Sequence, residues 1–153
     1  MQELESLIAA VPLFEGLAAG ELETIAGCAG NVRFTSGQNL FREGDAADNF
    51  FVVRHGTVAV GNFVPPRGEL VIETLEAGDL LGWSWLFPPY RSHFDARALT
   101  SVRATQFDGA CLRDKCAADP AFGYDLMSRF AQILIERLQW TRLRLLDIYG
   151  DGR

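Results

Sequence analysis

The spacing of hydrophobic positions changes twice along the chain. Near the start, Leu4, Leu7 and Ile8 recur at helical intervals until Pro12 interrupts them. Leu22 and Ile25 mark a second short helix over residues 19–28, with Gly30 as its stop. Between residues 31 and 108 the period shortens to two. The runs NVRFT, NLF, NFFVV, TVAVGNF, LVIETL, DLLGW, ARALT and VRATQF are separated by turn signals at Ser36-Gly37, Glu43-Gly44-Asp45, His55-Gly56, Pro65-Pro66 and Ala77-Gly78. Short strands this closely spaced predict a small all-β sandwich or roll. Helical spacing returns at Asp108, a candidate N-cap for a helix of about ten residues that ends before Pro120.

Residues 120–149 form the longest periodic segment. Met127, Ala131, Leu134, Leu138, Thr141, Leu145 and Ile148 alternate steps of four and three, the a/d spacing of a helix seam. A helix of this length carries more seam than a modest β domain covers. The pattern therefore predicts a parallel homodimer packed through the C-terminal helix, with Thr141 as a polar interruption. Packing on its own domain is the competing use of the same stripe.

Composition narrows the class. A chain of 153 residues, 48% of them hydrophobic, is the size of one domain over 1–153, with N-terminal helices in 1–30, β structure in 31–108 and C-terminal helices in 109–149. The net charge is −6, Lys115 is the only lysine, and no basic run appears, so DNA binding by this chain alone is not expected. No apolar run is long enough for a bilayer, and the first ten residues carry two glutamates and no basic residue, unlike a leader. The cytoplasm is the expected compartment, with no membrane association. Cys28, Cys111 and Cys116 lack C-x-x-C spacing and read as small apolar filler, not as a disulfide framework or zinc site.

Candidate chemistry is sparse. His55 and His93 stand on unrelated segments and make no metal site; His93 reads as a solvated loop residue. Asp45 and Asp48 read as turn residues, not a catalytic carboxylate pair. With no nucleophile–base pair, no enzyme activity and no required cofactor are expected, and no catalytic or metal-binding residue is assigned. The densest stretch is LGWSWLFPPYRSHFDARAL, residues 81–99, with five aromatics, two prolines, two arginines and a histidine. Trp83, Trp85, Phe87, Tyr90 and Phe94 either stack on a planar ligand or, for at least three of them, serve core or dimer packing.

A resemblance rests on an ordered set of glycines and acids. Phe34-Thr-Ser-Gly37, Asn39-Leu-Phe-Arg-Glu-Gly44-Asp45 and Gly44-Asp-Ala-Ala-Asp48-Asn-Phe50-Phe-Val-Val53-Arg-His-Gly56-Thr-Val58 resemble the first strands of the cyclic-nucleotide-binding domain family. The likeness covers nearly the whole chain and is similar to the sensor half of cyclic AMP receptor proteins, without the DNA-binding helix-turn-helix that follows the long helix there. It implies a mainly β fold with flanking α: a double-stranded β-helix, or jelly-roll-like β-roll, with N-terminal helices and a long C-terminal helix. It also implies a phosphate-binding cassette over 81–99, with a short helix whose backbone N–H groups hold the cyclic phosphate.

By that resemblance Leu81-Gly82 open the cassette, Arg97 closes it on the phosphate, and Ala98 continues into the next strand. Gly82 lets the backbone approach, Ser84 donates, and Thr141 meets the base. Arg97 also reads as a surface strand arginine paired with a nearby carboxylate, and Thr141 as a tolerated seam position. The implied ligand is cyclic AMP or cyclic GMP, and the implied role is a sensor that signals through its C-terminal helix to a downstream protein. Two departures stand out. Trp83 occupies the place of the glutamate that accepts from the ribose 2′-hydroxyl, and an indole N–H cannot accept. The segment also reads as longer than the family's cassette, with residues 88–93 as the excess. The alternative function is a non-binding homodimerisation or interaction module whose pocket is filled by Trp83 and neighbouring rings.

Overall fold

The computed structural model describes residues 2–62 and 70–151. Helix α1 (Gln2–Ala9), a single 3₁₀ turn (Pro12–Phe14) and α2 (Ala19–Ala26) precede eight strands. These are β1 (Ala29–Phe34), β2 (Asn39–Phe41), β3 (Asn49–His55), β4 (Val58–Asn62), β5 (Leu70–Leu75), β6 (Leu80–Leu81), β7 (Asp95–Ala98) and β8 (Val102–Asp108). Helices α3 (Gly109–Ala118) and α4 (Pro120–Asp151) follow. Every run read as a strand in the sequence contributes one. The Pro65-Pro66 turn and the Ile148 side chain lie outside what is described.

Two four-stranded antiparallel sheets face each other, in the orders β1-β8-β3-β6 and β2-β7-β4-β5. This is the expected β-roll. The strand β3 forms the wall between two cores. Phe51 and Val53 pack inside the roll with Val58, Val60, Leu75, Leu81, Ala96 and Ala98. Phe50 and Val52 face the helices and pack with Phe14, Trp85, Phe107, Leu112, Leu126 and Phe130. A strand buried on both faces reads as a continuous apolar run, and FFVV is one. The tight turn after it needs Gly56, whose φ is +94° and where a Cβ would lie 2.3 Å from the Ser101 carbonyl oxygen.

Two local readings are corrected. The second helix ends at Ala26, with the Gly27 N–H bonded to Glu23 O at 3.0 Å, so Gly30 is not its stop but the second residue of β1. Pairing with β8 begins at Ala29 and captures the segment that propensity alone left as a helix end. The same register overturns the reading of the cysteines. Ala29 opposite Phe107 brings the ends of β1 and β8 together, and Cys28 is disulfide-bonded to Cys111 across 83 residues, with Cα atoms 5.7 Å apart. Cys116 is free. Asp108 caps α3 as its sequence predicts, its carboxylate accepting from the Cys111 N–H at 3.1 Å.

Helix α4 carries two stripes. Phe122, Leu126 and Phe130 are buried against the domain, and half-buried Ile133 and Arg137 continue that line. Next to it runs the stripe expected to be a dimer seam: Met127 and Leu134 are half-buried, whereas Ala131, Leu138, Thr141 and Leu145 are exposed. From Leu138 to Asp147 every residue of α4 is exposed, and the carbonyl of Ile72 on β5 holds Arg144 Nη1 at 3.1 Å.

Candidate functional site

A cavity of about 260 Å³ lies between the roll and the segment after β6. Its floor is apolar, made by Phe41, Val60, Leu75 and Leu81. Its mouth is not: Ser84, Arg91, Ser92 and His93 line it, with Arg137 reaching in from α4. An apolar chamber with a few convergent polar groups is the form of a small-molecule site.

The cassette is shaped by backbone geometry. Gly82, at φ +101°, turns the chain out of β6, and a Cβ there would sit 3.4 Å from Asn49 O and 3.5 Å from Phe50 Cα. A single turn follows where the resemblance implies a short helix, with the Leu86 N–H bonded to Trp83 O at 3.0 Å. The chain then returns beside the loop after β2. The Ala47 N–H bonds Tyr90 O at 2.7 Å, the Gly44 N–H bonds Ser92 O at 2.8 Å and the Ser92 N–H bonds Asp45 O at 2.9 Å. Arg91 bridges Ala46 in this register, and its Nη1 donates to Gly44 O at 3.2 Å. Three backbone bonds and one side-chain bond thus hold an exposed guanidinium at the cavity mouth. Buried Asp95 steadies the same loop, its Oδ1 accepting from the Glu43 N–H at 2.8 Å.

The residues singled out in the sequence divide into two groups. Gly82, Trp83 and Ser84 line the cavity. Arg97 does not: its neighbours Ala96 and Ala98 are fully buried inside the roll, and strand alternation turns Arg97 to the opposite face. Ala98 is a core residue. Thr141 is exposed, donates to Arg137 O at 2.9 Å and lines a neighbouring groove between β5 and α4. That groove shares Ile72, Glu73, Leu75 and Arg137 with the cavity. Residues 88–93, read as excess length, supply Pro88, Pro89, Arg91, Ser92 and His93 to the lining. Arg91 was therefore legible by elimination. Two alanines flanking Arg97 mark its face, and the other arginine of the stretch sits in the loop.

Trp83 and Arg137 define the helix side of the site. The Arg137 guanidinium lies 4.7 Å from the Trp83 ring centroid, a cation–π contact, and also donates to the Leu80 carbonyl. Its Nε is 3.8 Å from Glu73 Oε1. Burial pushes the Arg137 pKa below its ordinary value, while the charges of Glu73 and Asp79 pull it back up. Arg137 was not among the residues the sequence pointed to, although the helical line Phe122, Leu126, Phe130, Ile133 ends on it.

The five aromatics serve different purposes. Trp85 is fully buried, with ring centroids 4.8 Å from Phe50 and 5.3 Å from Phe130, and its Nε1 has no hydrogen-bond partner. Tyr90 lies under the Arg113 guanidinium at 4.2 Å. Phe87 and Phe94 line the cavity and are 71% and 41% exposed. Elsewhere, Asp45 behaves as a turn residue, its carboxylate accepting from the Arg42 N–H at 3.0 Å. Among the described residues no cluster of three or more His, Cys, Asp or Glu is placed to hold a metal ion, and no helix is long and apolar enough to cross a membrane.

A β-roll with a glycine-led cassette over a small cavity and a long helix behind it defines a class, that of ligand-reading regulatory domains. Residues 31–119 match the cyclic nucleotide-binding domain, and the chain belongs to that family. A CRP-like cAMP-activated global transcriptional regulator of Mycobacterium tuberculosis is 25% identical over 145 residues, covering 95% of this chain and 63% of the regulator. The chain thus spans less than two thirds of that relative's length. Glutaminase 1 of Bradyrhizobium diazoefficiens is 32% identical over 133 residues, 86% of this chain but 21% of the enzyme. A cyclic nucleotide-binding protein of Geobacter metallireducens superposes with a TM-score of 0.78 at 27% identity, covering 88% of this chain and 97% of that one.

Proposed function

We propose that this regulatory domain binds a 3′,5′-cyclic nucleotide, cyclic AMP foremost, in the cavity beneath residues 82–93, and that Arg91 rather than Arg97 holds the cyclic phosphate. The observation that carries the reading is the exposed guanidinium of Arg91, held by Gly44 O at the mouth of a 260 Å³ cavity with an apolar floor. A charge-assisted pair with an anion is worth roughly twice a neutral hydrogen bond. Ser84 and Ser92 line the same cavity as hydroxyl donors, and Gly82, at φ +101°, turns the backbone along its wall. Activation by cyclic AMP of the Mycobacterium tuberculosis relative supports the choice of nucleotide.

Signalling runs through α4 in this reading. Arg137 touches both the cavity and the groove that contains Thr141, so a ligand that displaces Arg137 or Trp83 biases the helix. Two copies pair through the exposed stripe of α4, a protein partner reads the pair, and this chain alone neither binds DNA nor catalyses a reaction.

Titration calorimetry with cyclic AMP and cyclic GMP tests the proposal. Saturable binding is expected, lost by about tenfold or more in Arg91→Ala and retained in Arg97→Ala. Loss in Arg97→Ala with retention in Arg91→Ala would return the phosphate to the strand. Neither heat nor a thermal shift at millimolar nucleotide would leave the non-binding interaction module as the function.

A further inference from the structure

We infer that Cys28–Cys111 is a reversible thiol–disulfide site whose state sets how firmly α3 holds the cassette. The bond joins the junction of α2 and β1 to the first turn of α3. On its other side α3 is attached to the cassette. Arg113 donates from Nη1 to the Trp85 carbonyl and lays its guanidinium 4.2 Å from the Tyr90 ring centroid. The Gly109 N–H bonds Asp48 O at 2.8 Å, and a Cβ at Gly109 would lie 2.9 Å from Trp85 Cβ. Tyr90 in turn accepts from the Ala47 N–H and directly precedes Arg91 and Ser92 at the cavity mouth. The covalent tie at Cys111 and the cassette contacts of Gly109 and Arg113 therefore share the N-terminal half of α3, and Tyr90 with the loop that follows it leads from there to the cavity mouth.

Access favours exchange at Cys111. Cys28 is 6% exposed, whereas Cys111 is half-buried and lines a surface groove with Asp108, Asp114 and Lys115. A dithiol reductant supplies the two electrons. Its first thiolate attacks Cys111 Sγ, the disulfide breaks, and the electron pair leaves on Cys28 Sγ, which takes up a proton. Its second thiolate then attacks the mixed disulfide, closing the reductant's own disulfide and releasing the Cys111 thiol. Cys116 takes no part: it packs against α4, and burial, then the charge of Asp119, hold its thiol above the ordinary range. With the tie gone, the first turn of α3 keeps the Asp108 cap, the backbone bonds of Asp108 to Cys28 O and Gly109 to Asp48 O, and its packing, but loses its covalent anchor, and Arg113 restrains Trp85 and Tyr90 less.

The effect on ligand rests on the function proposed above; the effect on the cassette does not. Hydrogen exchange of the segment 84–92 is measured on the oxidised chain, on the chain reduced with dithiothreitol, and on the double variant Cys28→Ser/Cys111→Ser, with Cys116→Ser as the control. Exchange is expected to rise on reduction and in the double variant and to stay unchanged in the control. The Kd for cyclic AMP is expected to weaken by about fivefold on reduction. Alkylation of all three cysteines after treatment with oxidised glutathione would overturn the inference, as would equal exchange in both states or indistinguishable Kd values. A cassette that loosens on reduction while neither state binds cyclic AMP or cyclic GMP supports the inference and removes the proposed ligand. If the double variant does not fold, the reduced wild-type chain carries the same comparison.

Discussion

Trp83 is the residue at which the chain departs from the cassette that its resemblance implies. Its ring forms wall and stacks under Arg137, where the resemblance calls for a carboxylate that accepts a sugar hydroxyl. An indole provides area and a donor but no acceptor. Trp83→Glu restores the acceptor and places an anion near the Arg137 guanidinium, which already has the partly buried Glu73 carboxylate 3.8 Å away. The substitution is expected to tighten cyclic AMP binding by about ten- to a hundredfold, the worth of a charged hydrogen bond to a buried hydroxyl. Calorimetry on the variant checks this; an unchanged or weaker Kd would mean that the hydroxyl does not face residue 83. Strand alternation, not spacing from Gly82, is what places Arg91 on the cavity and turns Arg97 away from it. Counting along the chain selects Arg97, because a loop's length says nothing of which of its residues the fold returns to the cavity.

At the level of elements, α4 shows what periodicity can and cannot convey. The stripe from Met127 to Leu145 was legible because apolar positions repeat, yet the side chains of α4 that are buried in the core belong to the adjacent line through Phe122, Leu126 and Phe130. Both lines are apolar, and only the packed domain decides which one it takes. The remaining stripe is left with Leu138 at 50% and Leu145 at 48% exposure, beside Leu70 and Val71 of β5 at 59% and 45%. Exposed apolar side chains of this kind fit the pairing face proposed above. Leu138→Glu is expected to convert dimers to monomers in sedimentation velocity, while the far-ultraviolet spectrum stays that of the wild type. A dimer that survives the substitution would place the contact elsewhere. The eight strands were legible for a simpler reason: glycine or proline separates every pair of successive runs except ARALT and VRATQF, which marks the strands' places although not their ends.

Across the whole molecule the least legible feature is the disulfide. Nothing about Cys28 or Cys111 in isolation announces a partner 83 residues away; the β1–β8 register creates the proximity. Closing so long a loop restricts the unfolded chain, and such bonds typically contribute about 2–4 kcal/mol. The Cys28→Ser/Cys111→Ser variant is expected to melt roughly 5–15 °C below the oxidised wild type by calorimetry. The reduced wild-type chain should melt close to the variant. A variant that melts with the oxidised chain would show that the native packing of α2, β1 and α3 already holds the loop closed.

The three tryptophans give the molecule its own optical readout. Trp85 is sealed in the core, Trp83 forms the cavity wall, and Trp140 stands 68% exposed on α4, next to Thr141 of the free stripe and in the groove against β5. Each sits in one of the three places where this domain would act: its folded interior, its ligand chamber and its association face. Chains that keep a single indole would report on each place by emission colour and quenching alone, so that filling the chamber, pairing of two copies and unfolding become three separable signals without any added dye.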